Sequence, residues 1–202
     1  MKLFYSPGAC SMAPHIILRE LGKKFDLVKV DLGAKKTESG GDFWKVNGKG
    51  YVPTLEISKG EYLTEVAAIL QYLADKAKAT KLLPKAGTMA RYRVMESLNF
   101  VASELHKGIG GLFNPGMPDA GKATIKERVM KRVGYLDSVL KKNKFVTGKS
   151  YSVADAYAFV VLNWCGMVGI DLSGFKNVQA WQGRIAARPA VQATLKAEGL
   201  LA

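Results

Sequence analysis

Cysteine is the first scarcity in this sequence. Only Cys10 and Cys165 occur, far apart and without the spacing of a metal site or a disulfide framework. Position 13 is Ala, so Cys10 opens no C-x-x-C dithiol, and redox work by it requires a second thiol from outside the chain. No apolar run approaches the ~18 residues that a membrane span requires, and no charged start with an apolar core and cleavage site marks the N-terminus. The expectation is a cytoplasmic protein with no membrane partner. Acidic residues are the next shortage: 17 Asp and Glu face 30 Lys and Arg, for a net charge of +13. Residues 1–75 hold 10 basic against 9 acidic side chains, whereas 76–202 hold 20 against 8. These lysines, dense in 76–85 and 122–144, are spaced like the solvated face of helices and lack the interleaved aromatics of a base-stacking platform. A nucleic-acid partner is therefore not expected, although the field concentrates anionic small molecules near the protein.

What is present is organised around the first twenty residues. Lys2 to Tyr5 reads as a short buried strand, Ser6-Pro7-Gly8-Ala9 as a turn, and Met12 to Leu21 as a helix with Pro14 in its first turn, where a missing N–H costs little. Cys10 thus sits where a strand hands over to a helix. Unpaired N–H groups and the positive dipole end there favour a thiolate, which lowers a cysteine pKa from about 8.5 into a range of roughly 3.5 to 7.5. A small buried cysteine filling a turn is the alternative. Residues 25–32 alternate with the period of a strand, giving a β-α-β start with a parallel pair. Lys35 to Thr37 opens a polar loop, 42–46 forms a short helix, and Asn47-Gly48-Lys49-Gly50 breaks the chain. Residues 51–57 and Tyr62-Leu63 read as a hairpin turning at 58–61, with Pro53 tolerable at a strand edge. Thr64 is the expected N-cap of a helix from Glu65 to Ala74. The N–H of Val66 would then meet a carboxylate while Glu65 holds an ammonium group, unless Glu65 only complements the helix dipole.

The order β-α-β-α-β-β-α, with Cys10 at the first helix, Val52-Pro53 before the third strand and Thr64-Glu65 opening the third helix, resembles the thioredoxin-like domain of glutathione transferases. In that family the proline is cis, and the residue before it pairs by its backbone with the cysteinyl part of glutathione. The opening Met1 to Ser11 looks specifically like the bacterial beta class.

Beyond a linker at 76–87, Thr88 caps a long helix to about Gly108, with Leu98, Val101, Ala102, Leu105 and Ile109 as its apolar stripe. Asn99, Ser103 and His106 recur at i, i+4 and i+7 beside it, a polar stripe of the kind that faces a cleft, with an ordinary histidine as the alternative for His106. Gly108, Gly110, Gly111, Pro115 and Pro118 end that helix, and Lys122 to about Lys142 forms the next. Ser152-Val153-Ala154-Asp155 is a capping box, so Asp155 is read as a folding device worth about 1 kcal/mol rather than a catalytic acid. Asn163-Trp164-Cys165 is placed on that helix with Cys165 in the core, and 181–188 with 189–192 form the last helices.

The resemblance implies an α/β thioredoxin-like N-terminal domain over 1–80 and an all-α C-terminal helical domain over 88–202, the cytosolic glutathione transferase architecture. It implies a homodimer that conjugates glutathione, as co-substrate and without a metal, to small-molecule electrophiles. Cys10 would lie against the glutathione sulfur with Ser11 and His106 as donors. Lys35 would meet the glycyl carboxylate, Val52 before Pro53 the cysteinyl backbone, and Glu65 with the N–H of Val66 the γ-glutamyl end. Asn99, Ser103, Glu104 and Lys107, on a segment like the beta-class helix that lines the active site, would complete the set. Many transferases carry Ser after the glutamate; Val66 has no hydroxyl, which leaves backbone N–H groups and Thr64 to recognise that end. The rivals are a glutathione-dependent reductase or dehalogenase using Cys10 covalently, and a non-catalytic basic protein that binds transcription or translation machinery.

Overall fold

Lys2–Tyr5 forms β1, and because helices and loops cover both faces of the sheet its Leu3, Phe4 and Tyr5 are all buried instead of alternating. The computed structural model describes residues 1–201 and divides into two units, 1–79 with the segment from Arg188 onward, and 80–187.

In the first unit β1 pairs parallel with β2 (Asp26–Asp31) after α1 (Met12–Glu20), as the β-α-β reading expects. The expected polar loop at Lys35 to Thr37 contains a two-residue strand, β3 (Lys36–Thr37), antiparallel to β2. A 3-10 turn, Phe43–Lys45, follows, capped by the Asp42 carboxylate, which accepts from Trp44 N–H. The hairpin is β4 (Thr54–Ser58) and β5 (Glu61–Thr64), and the sheet order is β3-β2-β1-β4-β5. Pro53 lies just outside β4, so the missing N–H interrupts no ladder even though β4 is an inner strand. Thr64 does not cap the next helix. Pairing with Thr54 keeps it in β5, and α2 (Val66–Lys76) starts two residues on with Glu65 at the N-cap.

The closing helix α8 (Pro189–Ala197), assigned to the helical domain from sequence, groups with this first unit and packs on α1. Glu198 beyond it holds His15 Nδ1 of α1 at 2.8 Å with neither side chain exposed, and Arg188 forks onto Glu20 at 2.6 and 3.0 Å.

The second unit begins its helices with α3 (Met89–Phe100), whose N-cap Thr88 accepts from Arg91 N–H as expected. The long helix then widens into a π-helical turn over Val101–His106 and resumes as α4 (Lys107–Gly111). Gly108 therefore does not end the helix. It lies in α4, where an added Cβ would meet Val129 Cγ2 at 2.7 Å, so its role is close approach to α5 (Asp119–Lys142), which itself starts three residues earlier than expected. The next helix, α6 (Val153–Leu162), is buried on every side, as its all-round apolar sequence requires. Ser152 and Asp155 form the capping box, but Asp155 also accepts from Val146 N–H at 2.9 Å and Trp181 Nε1–H at 3.0 Å, the latter on α7 (Lys176–Ala186). Cys165 falls after α6, not on it, and is fully buried.

Candidate active site

The turn that carries Cys10 is tied down at both ends. Ser6 N–H donates to Ser11 Oγ at 3.1 Å, the Ser11 hydroxyl returns a bond to Ser6 C=O at 3.2 Å, and Gly8 N–H donates to Glu198 Oε2 at 2.9 Å. Ser11 is wholly buried and its hydroxyl is spent on Ser6, so in this structure it serves the turn. Its expected role as a donor to a sulfur would require that hydroxyl to leave Ser6. Cys10 Sγ donates to the carbonyl of Val52 at 3.2 Å, and the Val52–Pro53 bond is cis. Two segments 42 residues apart in sequence thus meet at the thiol.

The charge state of Cys10 differs from the expectation. Burial is the largest influence and pushes the thiol up to about 12; the N–H groups of Cys10 and Ser11 pull the other way but do not prevail. The helix start supplies the amides that the sequence implies, and desolvation outweighs them.

Glu65 stands at the start of α2 with φ +69°, a conformation that is strained for a side chain of its size. Its Oε1 accepts from Lys49 Nζ at 2.6 Å and from the Tyr51 hydroxyl at 2.8 Å, while Lys49 Nζ also reaches Thr64 Oγ1 at 2.9 Å. The hydrogen bond from Lys49 and the one from Tyr51 to Glu65 raise the pKa of both donors. Neither Lys49 nor Tyr51 was singled out from sequence, since the Asn-Gly-Lys-Gly stretch reads as a chain break. The structure explains the break: buried Asn47 donates to Tyr51 C=O at 2.8 Å and Thr54 Oγ1 at 3.0 Å. Gly50 adopts φ +67° where an added Cβ would lie 2.5 Å from the Trp44 ring. Lys35, also at positive φ, donates to Gly50 C=O at 2.7 Å and lies 5.8 Å from the Trp44 ring centroid. Val66 is buried, and its N–H is among the first of α2, which have no intrahelical partner.

In the second unit the expected residues do not form a single stripe. Ser103 is exposed and donates to Asn99 C=O at 2.9 Å, and Lys107 is exposed. Glu104 receives Arg132 Nε at 2.6 Å, a contact that lowers its pKa. It lines an open groove of about 730 Å³ with Arg93, Phe100, Arg132, Tyr135 and Leu136, and of the expected residues only Glu104 borders this groove. His106 turns instead to Tyr157, its Nδ1 2.6 Å from the hydroxyl, and packs against Trp164 at 5.0 Å between centroids. The π-helical turn redistributes residues that an α-helical spacing would align. Among the described residues no cluster of His, Cys, Asp or Glu suits a metal ion, and no helix is long and apolar enough to cross a membrane.

Comparison with known proteins agrees with this geometry. Residues 8–76 match the family model for the glutathione S-transferase N-terminal domain, and 100–189 that for the C-terminal domain. Glutathione S-transferase GstA of Escherichia coli O157:H7 is 46% identical, over 99% of this chain and 100% of its own. A bacterial beta class glutathione S-transferase of Sphingomonas chungbukensis superposes with a TM-score of 0.95 at 51% identity, covering all of both chains. A sphingomonad glutathione S-transferase complexed with glutathione also gives 0.95, at 49% identity over the whole of both chains. With both domain models matched and relatives alike from end to end, the chain belongs to the glutathione S-transferase family, in its bacterial beta class.

Proposed function

We propose that the protein conjugates glutathione to electrophilic small molecules, with the tripeptide held along Cys10, Val52 and Glu65. The observation that carries this reading is the junction of the Cys10 thiol with the Val52 carbonyl beside a cis Val52–Pro53 bond, with the start of α2 in the same unit. The solved relative complexed with glutathione supports it. Val52 and Pro53 offer their backbone to the cysteinyl part, and Lys35 is the cation for the glycyl carboxylate. Glu65 exchanges Lys49 for the ligand's ammonium group, while Val66 N–H and the released Lys49 take the α-carboxylate. Lys49 thereby supplies what the absent Ser hydroxyl would have given.

A thiol held near 12 is protonated at neutral pH, and a protonated thiol donates a hydrogen bond. Cys10 therefore serves as a donor that turns its proton from the Val52 carbonyl to the glutathione thiolate, which is the nucleophile. We further propose a cytoplasmic homodimer, supported by the exposed Tyr92 and Tyr135 on α3 and α5. Titration calorimetry tests the assignment: Glu65→Ala should weaken glutathione binding by roughly tenfold to a hundredfold, the worth of a charge-assisted bond. An unchanged dissociation constant overturns it.

A further inference from the structure

Lys49 is fixed at its backbone and held at its tip only by exposed contacts. Its N–H donates to Asn47 Oδ1 at 3.0 Å, and the same buried asparagine accepts Gly50 N–H on its carbonyl at 2.8 Å and donates to Tyr51 C=O at 2.8 Å. The backbone of 47–51 is therefore pinned. At the other end Lys49 Nζ meets Glu65 Oε1 at 2.6 Å and Thr64 Oγ1 at 2.9 Å, and both members of the Lys49–Glu65 pair are half exposed. An ion pair in such a setting contributes little, and the flexible lysine stem lets the ammonium leave it without moving the chain.

The Tyr51 hydroxyl is a different kind of partner. It donates to the same Glu65 Oε1 at 2.8 Å and, being neutral, places no second cation there. Glu65 thus keeps a donor when Lys49 moves. Lys49 itself is an ammonium group standing where the γ-glutamyl ammonium is proposed to bind. A ligand with an ammonium group alone must evict it, so one ion pair forms as another breaks. A ligand with a carboxylate alone faces the Glu65 carboxylate, and drawing Lys49 to itself breaks the existing pair. Only a head group that carries both charges on one carbon makes two pairs at the cost of one weak one.

We propose that Lys49 is a specificity-determining residue that closes Glu65 to a lone ammonium group, so that the site selects thiols whose head group is an α-amino acid, with ammonium and carboxylate together. The inference rests on the placement of the γ-glutamyl end at Glu65 given above, and goes beyond it in making the two charges interdependent. Selection of this kind works against the wrong ligand as much as for the right one.

Calorimetry with three ligands tests it: glutathione, γ-aminobutyryl-cysteinylglycine, which lacks the α-carboxylate, and glutaryl-cysteinylglycine, which lacks the ammonium group. The wild type should bind each analogue roughly tenfold to a hundredfold more weakly than glutathione. Lys49→Met keeps an unbranched stem and removes the charge. It should weaken glutathione roughly tenfold, yet bind the γ-aminobutyryl analogue severalfold more tightly than the wild type does, because that ammonium then meets Glu65 without a competitor. Effects of opposite sign separate this role from a structural one, in which every ligand weakens alike. Equal weakening of all three ligands, or an unchanged affinity for the γ-aminobutyryl analogue, overturns the selector role. Glu65→Ala decides the underlying site separately. If it leaves glutathione binding unchanged, the placement at Glu65 falls; if it weakens glutathione while Lys49→Met shows no opposite signs, only the selector role falls.

Discussion

At Cys10 two local forces oppose each other. The N–H groups of a helix start stabilise a thiolate, while removal from water destabilises it more, and the thiol ends near 12. The folded thiol keeps its proton where a free cysteine, near 8.5, has lost it, so its reactivity climbs only as pH rises well above neutral. Iodoacetamide should therefore label Cys10 more slowly than a free cysteine at pH 8, with the rate rising steadily toward pH 10; labelling faster than the free thiol at pH 7 would sink this. The donor role makes a separate prediction. Cys10→Ala removes one hydrogen bond to the nucleophile, so conjugation should fall by roughly tenfold, whereas a loss beyond about a thousandfold, or ~4 kcal/mol, would make Cys10 the central catalytic group. The same variant should lose any glutathione mixed disulfide seen by intact-protein mass spectrometry.

Among the elements, α6 shows how a local signal understates a tertiary role. Asp155 is legible as the third residue of a capping box, yet its carboxylate gathers donors from the Val146 loop, Ser152 and α7. Asp155→Ala leaves those buried donors without an acceptor, so urea unfolding should show about 3–5 kcal/mol lost instead of the ~1 kcal/mol of a cap. A loss confined to the smaller figure would return Asp155 to a simple cap. Gly108 follows the same logic: Gly108→Ala drives a methyl into Val129 and should cost about 1–3 kcal/mol, part of which Gly108→Ala with Val129→Ala recovers. The strands, the parallel pair and the main helices were legible because hydrophobic period and turn residues report local structure directly. Thr64 was misplaced because a β5 pairing with Thr54 overrides its capping preference, and pairing is not a local property. The π-helical turn, the Ser6–Ser11 pair and the Lys49–Tyr51–Glu65 cluster were hidden for the same reason, each depending on contacts that spacing does not encode.

For the whole molecule the charge asymmetry is the open quantity, and α5 shows how it is managed. Lys131 pairs with Glu127 at 2.7 Å and Arg132 with Glu104 at 2.6 Å, while Arg128, Lys141 and Lys142 face solvent. Exposed pairs of this kind contribute little stability, so the excess is better understood as a long-range field than as a set of bonds. Such a field draws in anions, glutathione among them, and its reach shrinks with the Debye length, about 10 Å at 0.1 M salt and about 30 Å at 0.01 M. The association rate of glutathione should therefore fall severalfold between those salt concentrations, while the dissociation rate, set by local contacts, changes less. A duplex DNA probe run alongside separates this field from a dedicated nucleic-acid surface. Counterion release gives orders of magnitude of weakening between about 50 and 200 mM salt for a contact through several phosphates, and nothing specific should remain at the upper figure. Sub-micromolar DNA or RNA binding that persists at 150 mM salt would instead mean that the lysines of α5 form a built surface, and the solvated-face reading of the +13 charge would have to be abandoned.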